Sequence, residues 1–204
     1  MKISKLYHKL CRKYVRTDEF WKEWCKAKKT KADRERIMVG AMLTQRTNWR
    51  NVELALKNLK KAKASSLEKI YILGNKDIRL LENLIRPSGF YRQKAQRLFG
   101  LCKFIVEDRG GLKRFLKQDL AACRNQLLEL SGIGPETADS ILVYAGQKPV
   151  FVIDEYTRRF VEKHKICHKL SYDYLQDLFQ KNLPQDVKVY QDFHAMIVLD
   201  GKDK

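Results

Sequence analysis

Apolar side chains recur every three or four positions along most of this 204-residue chain. That spacing places them on one face of an α-helix, so it favours amphipathic helices that bury one side. The alternation with a period of two that is typical of a strand never lasts more than a few residues. The apolar run at 150–153 is the single strand candidate in the sequence. The pattern therefore predicts an all-α protein with short loops.

The charge balance predicts a polyanionic partner. Lysine and arginine number 42 against 24 aspartates and glutamates, which gives a formal net charge of +18 at pH 7. Such an excess is typical of chains that bind nucleic acid, and an anionic membrane surface is the second interpretation. A solubilising surface without a specific partner is the third. Because 44% of the residues are hydrophobic, the chain can also bury a core.

The cysteines and the hydropathy indicate the compartment. The five cysteines are scattered and none forms a C-x-x-C pair, which argues against a zinc site and a disulfide framework. A reducing, intracellular setting is therefore expected, in the cytoplasm or nucleoid. No apolar run approaches the roughly 20 residues of a membrane span, so we expect a soluble protein. A monomer is a separate expectation. The cysteines are Cys11, Cys25, Cys102, Cys123 and Cys167.

A glycine-rich turn, Gly132-Ile133-Gly134, separates two helical patterns. One helix is predicted to end near Leu130, and the next covers Glu136 to Ala145. Glycines allow a close approach to another surface, and main-chain N–H groups at a helix N-terminus bind anions. The turn therefore favours a helical hairpin that binds a DNA phosphate without reading the base sequence. A simple connection between two helices is the alternative interpretation.

Asp154 lies between the apolar run 150–153 and a helical pattern that carries basic residues. On position alone, the preferred interpretation is a helix N-cap. The functional interpretation is an ionised carboxylate at the positive end of a helix, beside a bound base. The two interpretations are compatible. His194 is interpreted as packing between helices rather than as a catalytic group.

Two further segments combine polar and aromatic side chains. The polar block 44–48, followed by Trp49, is either a turn between apolar helices or a group that fills a gap in a base stack. Phe20, Trp21 and Trp24 form an aromatic cluster near the N-terminus. Its preferred interpretation is a patch docked on the core, and the alternative is one wall of a base pocket.

Local signals predict helix boundaries. Ser65 is the predicted N-cap of a capping box, and the helix that follows should stop near Leu73, before Gly74. A strong helix is predicted over 91–107. The basic face of that helix consists of Arg92, Lys94 and Arg97.

Five segments together resemble a known family. They are MVGAMLTQRTNW at 38–49, RPSGFYRQKAQRL at 86–98, LSGIGPETAD at 130–139, VFVIDEYTRR at 150–159 and FHAMIV at 193–198. This combination is similar to the helix-hairpin-helix (HhH-GPD) superfamily of DNA glycosylases, the endonuclease III-like proteins. Within it, the chain most resembles the 3-methyladenine DNA glycosylase III type. The resemblance implies a six-helix bundle over 37–148 and a second helical domain, 1–36 plus 149–204, with the active-site cleft at their junction.

The resemblance also implies roles for individual residues. Asp154 matches the catalytic aspartate, and Gln45 matches the residue that enters the DNA stack where the base leaves. For the base pocket, the resemblance implies Trp49, and the N-terminal aromatic cluster adds Trp24 and Trp21 as predicted members. With the residues of the glycine-rich turn and of the basic helix face, the predicted DNA-binding positions are Gln45, Gly132, Ile133, Gly134, Thr137, Arg92 and Lys94. The implied partner is double-stranded DNA with a damaged base, and a monovalent cation on the main chain of Gly132 and Gly134 is the one metal expected.

Two departures from the family pattern narrow the expected activity. Bifunctional members carry a catalytic lysine where this chain has Glu136, and a carboxylate cannot form a Schiff base. The C-terminal cysteine set of endonuclease III is missing, so no iron–sulfur cluster or other cofactor is expected. The sequence thus predicts a monofunctional glycosylase for alkylated, 3-methyladenine-like bases. The alternatives are an endonuclease III-like glycosylase for oxidised or mispaired bases and a non-catalytic DNA-binding protein.

Overall fold

The computed structural model describes residues 2–14 and 21–203, so Phe20 of the aromatic cluster lies outside the described residues. Within these two ranges the regular structure is helical and contains no strand, which confirms the all-α prediction. A 3₁₀ turn covers Arg86–Ser88, and π-helical segments cover Phe104–Asp108 and Ile141–Ala145. The α-helices are α1 Lys2–Lys13, α2 Lys22–Cys25, α3 Lys31–Leu43, α4 Trp49–Lys61, α5 Leu67–Lys76, α6 Ile78–Ile85, α7 Tyr91–Lys103, α8 Leu112–Leu116, α9 Leu120–Leu128, α10 Pro135–Ser140, α11 Glu155–Lys163, α12 Tyr172–Lys181 and α13 Val187–Lys202.

The chain forms two compact units. The continuous unit is Lys29–Ile141, and the discontinuous unit combines Met1–Lys28 with Leu142–Lys204. The domains expected from the family resemblance, 37–148 and 1–36 plus 149–204, stay a prediction. In the described ranges 2–14 and 21–203, no helix is both long and apolar enough to cross a bilayer.

Helix α7 lies at the centre of the continuous unit, packed against α3, α5 and α6. Its apolar face is fully buried at Ala95, Leu98 and Leu101. Helix α5 departs from the sequence prediction at both ends. Its N-cap is Ser66, not Ser65, because the Ser66 hydroxyl accepts a hydrogen bond from the Lys69 N–H at 3.2 Å.

The predicted stop before Gly74 in α5 is also wrong, because the helix continues to Lys76. Gly74 is buried against the ring of Phe99, and a Cβ atom at this position would lie 2.6 Å from Phe99 Cδ2. The glycine is therefore explained by close packing of α5 on α7, and tertiary contacts outweigh its low helix propensity.

Helix α13 is the central helix of the discontinuous unit and packs against α1, α2 and α11. An aromatic core surrounds it, in which Phe151 stacks on Phe179 with ring centroids 4.6 Å apart. The run 150–153 forms no strand; it is a buried segment without regular secondary structure, held by side chains of α12. The side-chain oxygen Oε1 of Gln180 accepts from the Phe151 main-chain N–H at 3.0 Å, and the side-chain Nε2 of Gln176 donates to the Phe151 main-chain carbonyl at 2.7 Å. These amides satisfy main-chain groups that a neighbouring strand would otherwise pair.

Candidate functional site

The glycine-rich turn joins α9 to α10 in the continuous unit, so the predicted helical hairpin is present. Gly132 adopts a left-handed backbone with φ +79°, and Gly134 is the N-cap of α10 with φ −90°. Ile133 is buried, and its N–H donates to the Leu130 carbonyl at 3.1 Å. Ile133 therefore contributes packing of the turn, since its main-chain donor is already engaged.

A buried ion pair joins the two helices of the hairpin. Arg124 on α9 donates from Nε to Asp139 Oδ1 at 2.8 Å and from a terminal nitrogen to Asp139 Oδ2 at 3.1 Å. The Asp139 side chain has no exposed surface, whereas 23% of the Arg124 side chain is exposed. A bidentate guanidinium–carboxylate pair fixes both distance and orientation. No local sequence pattern predicted this pair.

Gln45 lies against the hairpin. Its amide nitrogen donates to the Gly132 carbonyl at 2.9 Å and to the Thr137 hydroxyl at 3.1 Å. Arg97 donates to its carbonyl oxygen at 3.3 Å. Thr137 is nearly buried, so its hydroxyl supports Gln45. The sequence-predicted DNA-binding residues Gln45, Gly132 and Thr137 are thus brought together within one unit.

Gly132 is the hairpin position at which a side chain is least tolerated. A Cβ atom there would lie 2.1 Å from Arg97 Nε, and the backbone is left-handed; at Gly134 nothing lies within 4 Å. We therefore expect Gly132→Ala to destabilise the protein by about 1–2 kcal/mol and to displace Arg97 from Gln45. Gly134→Ala, the matched control, should change stability little. Urea denaturation of both variants checks this, and equal stabilities would contradict it.

The predicted basic face of α7 divides into exposed and buried residues. Arg92 is exposed, with its guanidinium 5.9 Å from the Tyr91 ring centroid. Lys94 is 3% exposed and donates to the carbonyls of Leu43 at 2.8 Å and Ser88 at 2.6 Å. Burial lowers the pKa of Lys94 to about 8. The Lys94 ammonium group is thus buried on main-chain carbonyls instead of being exposed on the basic face, which departs from its predicted role as a DNA contact.

Phe90 is an exposed aromatic residue that was not among the predicted site residues. Its side chain is 64% exposed, and its backbone is left-handed with φ +47°. A bulky residue in that region is strained, and it persists there only when its surroundings hold it. The exposed arginines Arg86 and Arg92 flank it in the sequence. The glycine before it and these arginines are the signals that could have identified it.

The structure places two other sequence-predicted residues of the continuous unit. Glu136 is exposed in the first turn of α10, directly after Pro135. Trp49 is the first residue of α4 and is half-buried. The N-cap of α4 is Asn48, whose side chain accepts from the Asn51 N–H at 3.0 Å. The polar block 44–48 is thus a turn between two helices, and it also carries Gln45.

Asp154 is the N-cap of α11 in the discontinuous unit, as its position in the sequence indicates. Its Oδ1 accepts from the Thr157 N–H at 2.7 Å and from the Thr157 hydroxyl at 2.9 Å. Its other oxygen, Oδ2, lies 3.4 Å from His194 Nε2, and 15% of the side chain is exposed. The carboxylate is thus held through one oxygen by the helix and faces an imidazole with the other.

His194 is buried on α13 and joins Asp154 to Tyr144. The Tyr144 hydroxyl lies 2.7 Å from His194 Nδ1 and 3.3 Å from the Gln191 carbonyl. Burial opposes ionisation of Asp154, but the interactions with the neighbouring His194 ring and with Thr157 outweigh it and hold the Asp154 pKa below its ordinary value. Asp154 is therefore an ionised carboxylate at neutral pH. The long-range contact with His194 leaves no signal in the sequence spacing.

Trp21 and Trp24 pack around the same group of residues. The ring centroid of Trp21 lies 5.8 Å from that of His194 and 5.7 Å from that of Tyr144. The ring centroids of Trp24 and Tyr144 are 5.1 Å apart. Both tryptophans are half-buried, so each keeps some exposed surface. The aromatic cluster is docked on the core, and through His194 it also adjoins Asp154. The two interpretations of this cluster are thus compatible.

Within residues 2–14 and 21–203, no group of three or more histidine, cysteine, aspartate or glutamate side chains could hold a metal ion. The main chain at Gly132, where a monovalent cation is predicted, already accepts from Gln45 through its carbonyl. A carbonyl oxygen has two lone pairs, so the Gln45 contact does not fill it. The cation stays a prediction.

The chain is similar to known proteins both in sequence and in fold. The family model described as "HhH-GPD superfamily base excision DNA repair protein" matches residues 39–185. The candidate DNA repair glycosylase MJ1434 of Methanocaldococcus jannaschii is 45% identical over 168 residues, which span 81% of this chain and 75% of that protein. Endonuclease III of Thermotoga maritima is 28% identical over 152 residues, 74% of this chain and 66% of that protein.

A solved structure of similar fold is that of the H. pylori 3-methyladenine DNA glycosylase (MagIII) bound to 1,N6-ethenoadenine. It matches with a TM-score of 0.79 and 31% identity, over 97% of this chain and 96% of that chain. Together with the family match, these similarities confirm the resemblance that five sequence segments indicated.

Proposed function

The chain is a DNA glycosylase of the HhH-GPD superfamily of base excision DNA repair proteins, and we propose that it hydrolyses the N-glycosidic bond of alkylated, 3-methyladenine-like bases without a lysine-dependent lyase step. Its substrate in this proposal is double-stranded DNA with one damaged base, on which it acts as an intracellular monomer. It needs no iron–sulfur cluster, which iron and sulfide analysis of the purified protein would test.

Asp154 is the proposed catalytic residue. Breaking the N-glycosidic bond leaves positive charge on the sugar, and an ionised carboxylate stabilises that charge or activates the attacking water. The Thr157 hydrogen bonds to Oδ1 support this role because they fix the carboxylate. The lowered pKa of Asp154 supports it because the group is ionised at neutral pH. Helix capping and catalysis use the same side chain in this proposal.

The observation that carries the proposed substrate class is the aromatic cluster beside Asp154. Trp21 and Trp24 present half-buried rings next to Tyr144 and His194. N3- and N7-alkylated purines are cationic, and cations are attracted to the faces of indole rings. Such a base is already a good leaving group, so one carboxylate is sufficient and no strong general acid is needed. Trp49 is proposed as a further aromatic side of the pocket.

The continuous unit is proposed to hold the DNA. The hairpin turn, with Gly132 and Gly134, would bind a backbone phosphate through a monovalent cation, and Arg92 would add a charge contact. Gln45 would enter the space that the flipped base leaves, exchanging its hydrogen bonds to the hairpin for contacts with DNA. Phe90 would contact bases through its exposed ring. The net charge of +18 for the whole chain supports binding to a polyanion such as DNA.

A release assay tests the proposed function. Duplex DNA treated with a methylating agent is incubated with the enzyme, and the released bases are separated and identified. We expect 3-methyladenine or 7-methylguanine among the products. Release of oxidised or mispaired bases, with no alkylated base, would instead favour the endonuclease III-like alternative, which the similarity to the Thermotoga maritima protein keeps open. Release of no base from any lesion would favour the non-catalytic alternative.

Borohydride trapping on abasic DNA should give no covalent adduct with this protein. A Schiff base requires a deprotonated amine, and the side chain at the position of the lyase lysine is the carboxylate of Glu136. An authentic endonuclease III treated in parallel is the positive control for the chemistry. A strong adduct with this chain would contradict the monofunctional assignment.

A further inference from the structure

Lys94 is a buried cation that the proposed mechanism does not use. Transferring an ammonium group out of water is unfavourable unless several hydrogen bonds replace the water. Lys94 is 3% exposed, and its Nζ donates to the carbonyls of Leu43 and Ser88. If the position served only to fill the core of α7, an apolar side chain of similar volume would do so at lower cost. The carbonyls that it contacts therefore indicate its role.

The two acceptors lie at the starts of two surface segments. Leu43 is the last residue of α3, directly before the polar block 44–48 that carries Gln45. Ser88 ends the 3₁₀ turn, directly before Gly89 and Phe90. A cation is also favoured at the C-terminal end of a helix, where carbonyls lack intrahelical partners. The Lys94 ammonium group thus connects the main chain at the points where the two segments begin.

The main chain of Lys94 adds a second connection to the 86–90 segment. Its N–H donates to the Phe90 carbonyl at 2.9 Å, while its side chain holds Ser88 at 2.6 Å. Ser88 is itself fully buried, with its hydroxyl bonded to the Ile85 carbonyl at 2.8 Å. The left-handed conformation of Phe90 is therefore enclosed between fixed residues. This explains how an exposed aromatic side chain is held in a strained backbone.

We propose that Lys94 is a positioning residue, which fixes the segment that carries Gln45 relative to the segment that carries Phe90 so that both meet the same DNA duplex. This inference rests on the proposed function, because Gln45 and Phe90 are there the groups that enter or contact the base stack. Lys94 itself touches neither the DNA nor the reacting base. It acts through the Leu43 and Ser88 carbonyls, where the two segments begin.

Three variants test this inference. Lys94→Met removes the charge and both donors, and Lys94→Gln keeps an amide donor on a shorter side chain. Lys103→Met is the control, since Lys103 is an exposed lysine on the same helix. Each variant is measured for binding to a duplex with a stable abasic-site analogue and to an undamaged duplex. Hydrogen exchange of residues 44–48 and 86–90 is measured without DNA.

We expect Lys94→Met to lose about 10- to 100-fold of the preference for the abasic-analogue duplex, because misplacement of positioning groups by about 1 Å has effects of this size. Lys94→Gln should be intermediate, and Lys103→Met should match the wild type. Exchange should rise in both segments in the Lys94 variants. A loss of stability alone, with unchanged preference and unchanged exchange in the two segments, would assign Lys94 a purely structural role and overturn the inference.

Two further comparisons keep the test decisive. If Lys94→Met does not fold, the same measurements on Lys94→Gln decide the question. A Phe90→Ala background should reduce the effect of Lys94→Gln on lesion preference, because one of the two positioned groups is then absent; independent, additive effects would contradict the inference. Failure of the wild type to release bases would refute the proposed function, whereas the binding preference and exchange rates would still report on Lys94.

Discussion

An Asp154→Asn variant should bind lesion-containing DNA as the wild type does and release almost no base. Asparagine is as good an N-cap as aspartate, so the Thr157 N–H keeps an acceptor and α11 should stay formed. What is lost is the negative charge that faces the developing positive sugar. Removal of one such electrostatic contact lowers the rate by about 10²–10³-fold or more. Single-turnover release from methylated DNA measures this effect.

Asp186→Asn is the matched control for that substitution. Asp186 is the N-cap of α13 in the same unit and accepts from the Val189 N–H at 2.9 Å. Both variants change one capping carboxylate to an amide, but the structure brings only Asp154 to His194 and the aromatic cluster. Equal loss of activity in the two variants would show that capping, not charge beside the base, explains the effect. Wild-type activity of Asp154→Asn would refute the catalytic role.

The environment of Asp154 also determines whether the stability of the folded protein rises or falls with pH. Because the pKa of Asp154 is lowered in the folded state, its ionised form stabilises the fold at pH values above the unfolded pKa. That contribution is lost as pH falls through the folded pKa, below the ordinary value of about 4. The stability advantage of the wild type over Asp154→Asn should therefore shrink in that acidic range. Because Asp154 stays ionised near neutral pH, its titration should not reduce the rate of base release there.

The sequence predicted features that depend on local spacing. Helical periodicity predicted the all-α fold, and the position of Asp154 before a helix predicted its capping role. The glycines at 132–134 predicted the hairpin turn. These features follow from contacts among residues within one or two turns of each other, which is the range that periodicity and capping rules describe.

Features that depend on distant residues were missed. His194 lies 40 positions beyond Asp154, and no local rule relates them. Gly74 was predicted to break a helix because the rule omits the Phe99 ring that packs on it. Lys94 was assigned to an exposed basic face, although it lies on the same helical face as the buried residues Leu98 and Leu101. That spacing of four and seven residues was the signal for its burial.

Arg124→Met should cause the largest loss of stability among substitutions in the hairpin. It removes two charge-assisted hydrogen bonds from the Asp139 carboxylate, which has no exposed surface. Loss of one partner from a buried ion pair costs about 3–5 kcal/mol. The lower end of that range is expected here because 23% of the Arg124 side chain is exposed. The free energy of unfolding from urea denaturation measures the effect.

The double variant Arg124→Met/Asp139→Asn separates loss of the pair from burial of a charge. Neutralising Asp139 removes the buried carboxylate, so the double variant should be less destabilised than the sum of the single variants, by about 0.5–3 kcal/mol. Arg79→Met, at an exposed arginine of α6 in the same unit, is the control and should change stability little. Additive losses would show that the two side chains contribute independently. A non-additive result would show that the two side chains stabilise the hairpin as a coupled pair that joins its two helices.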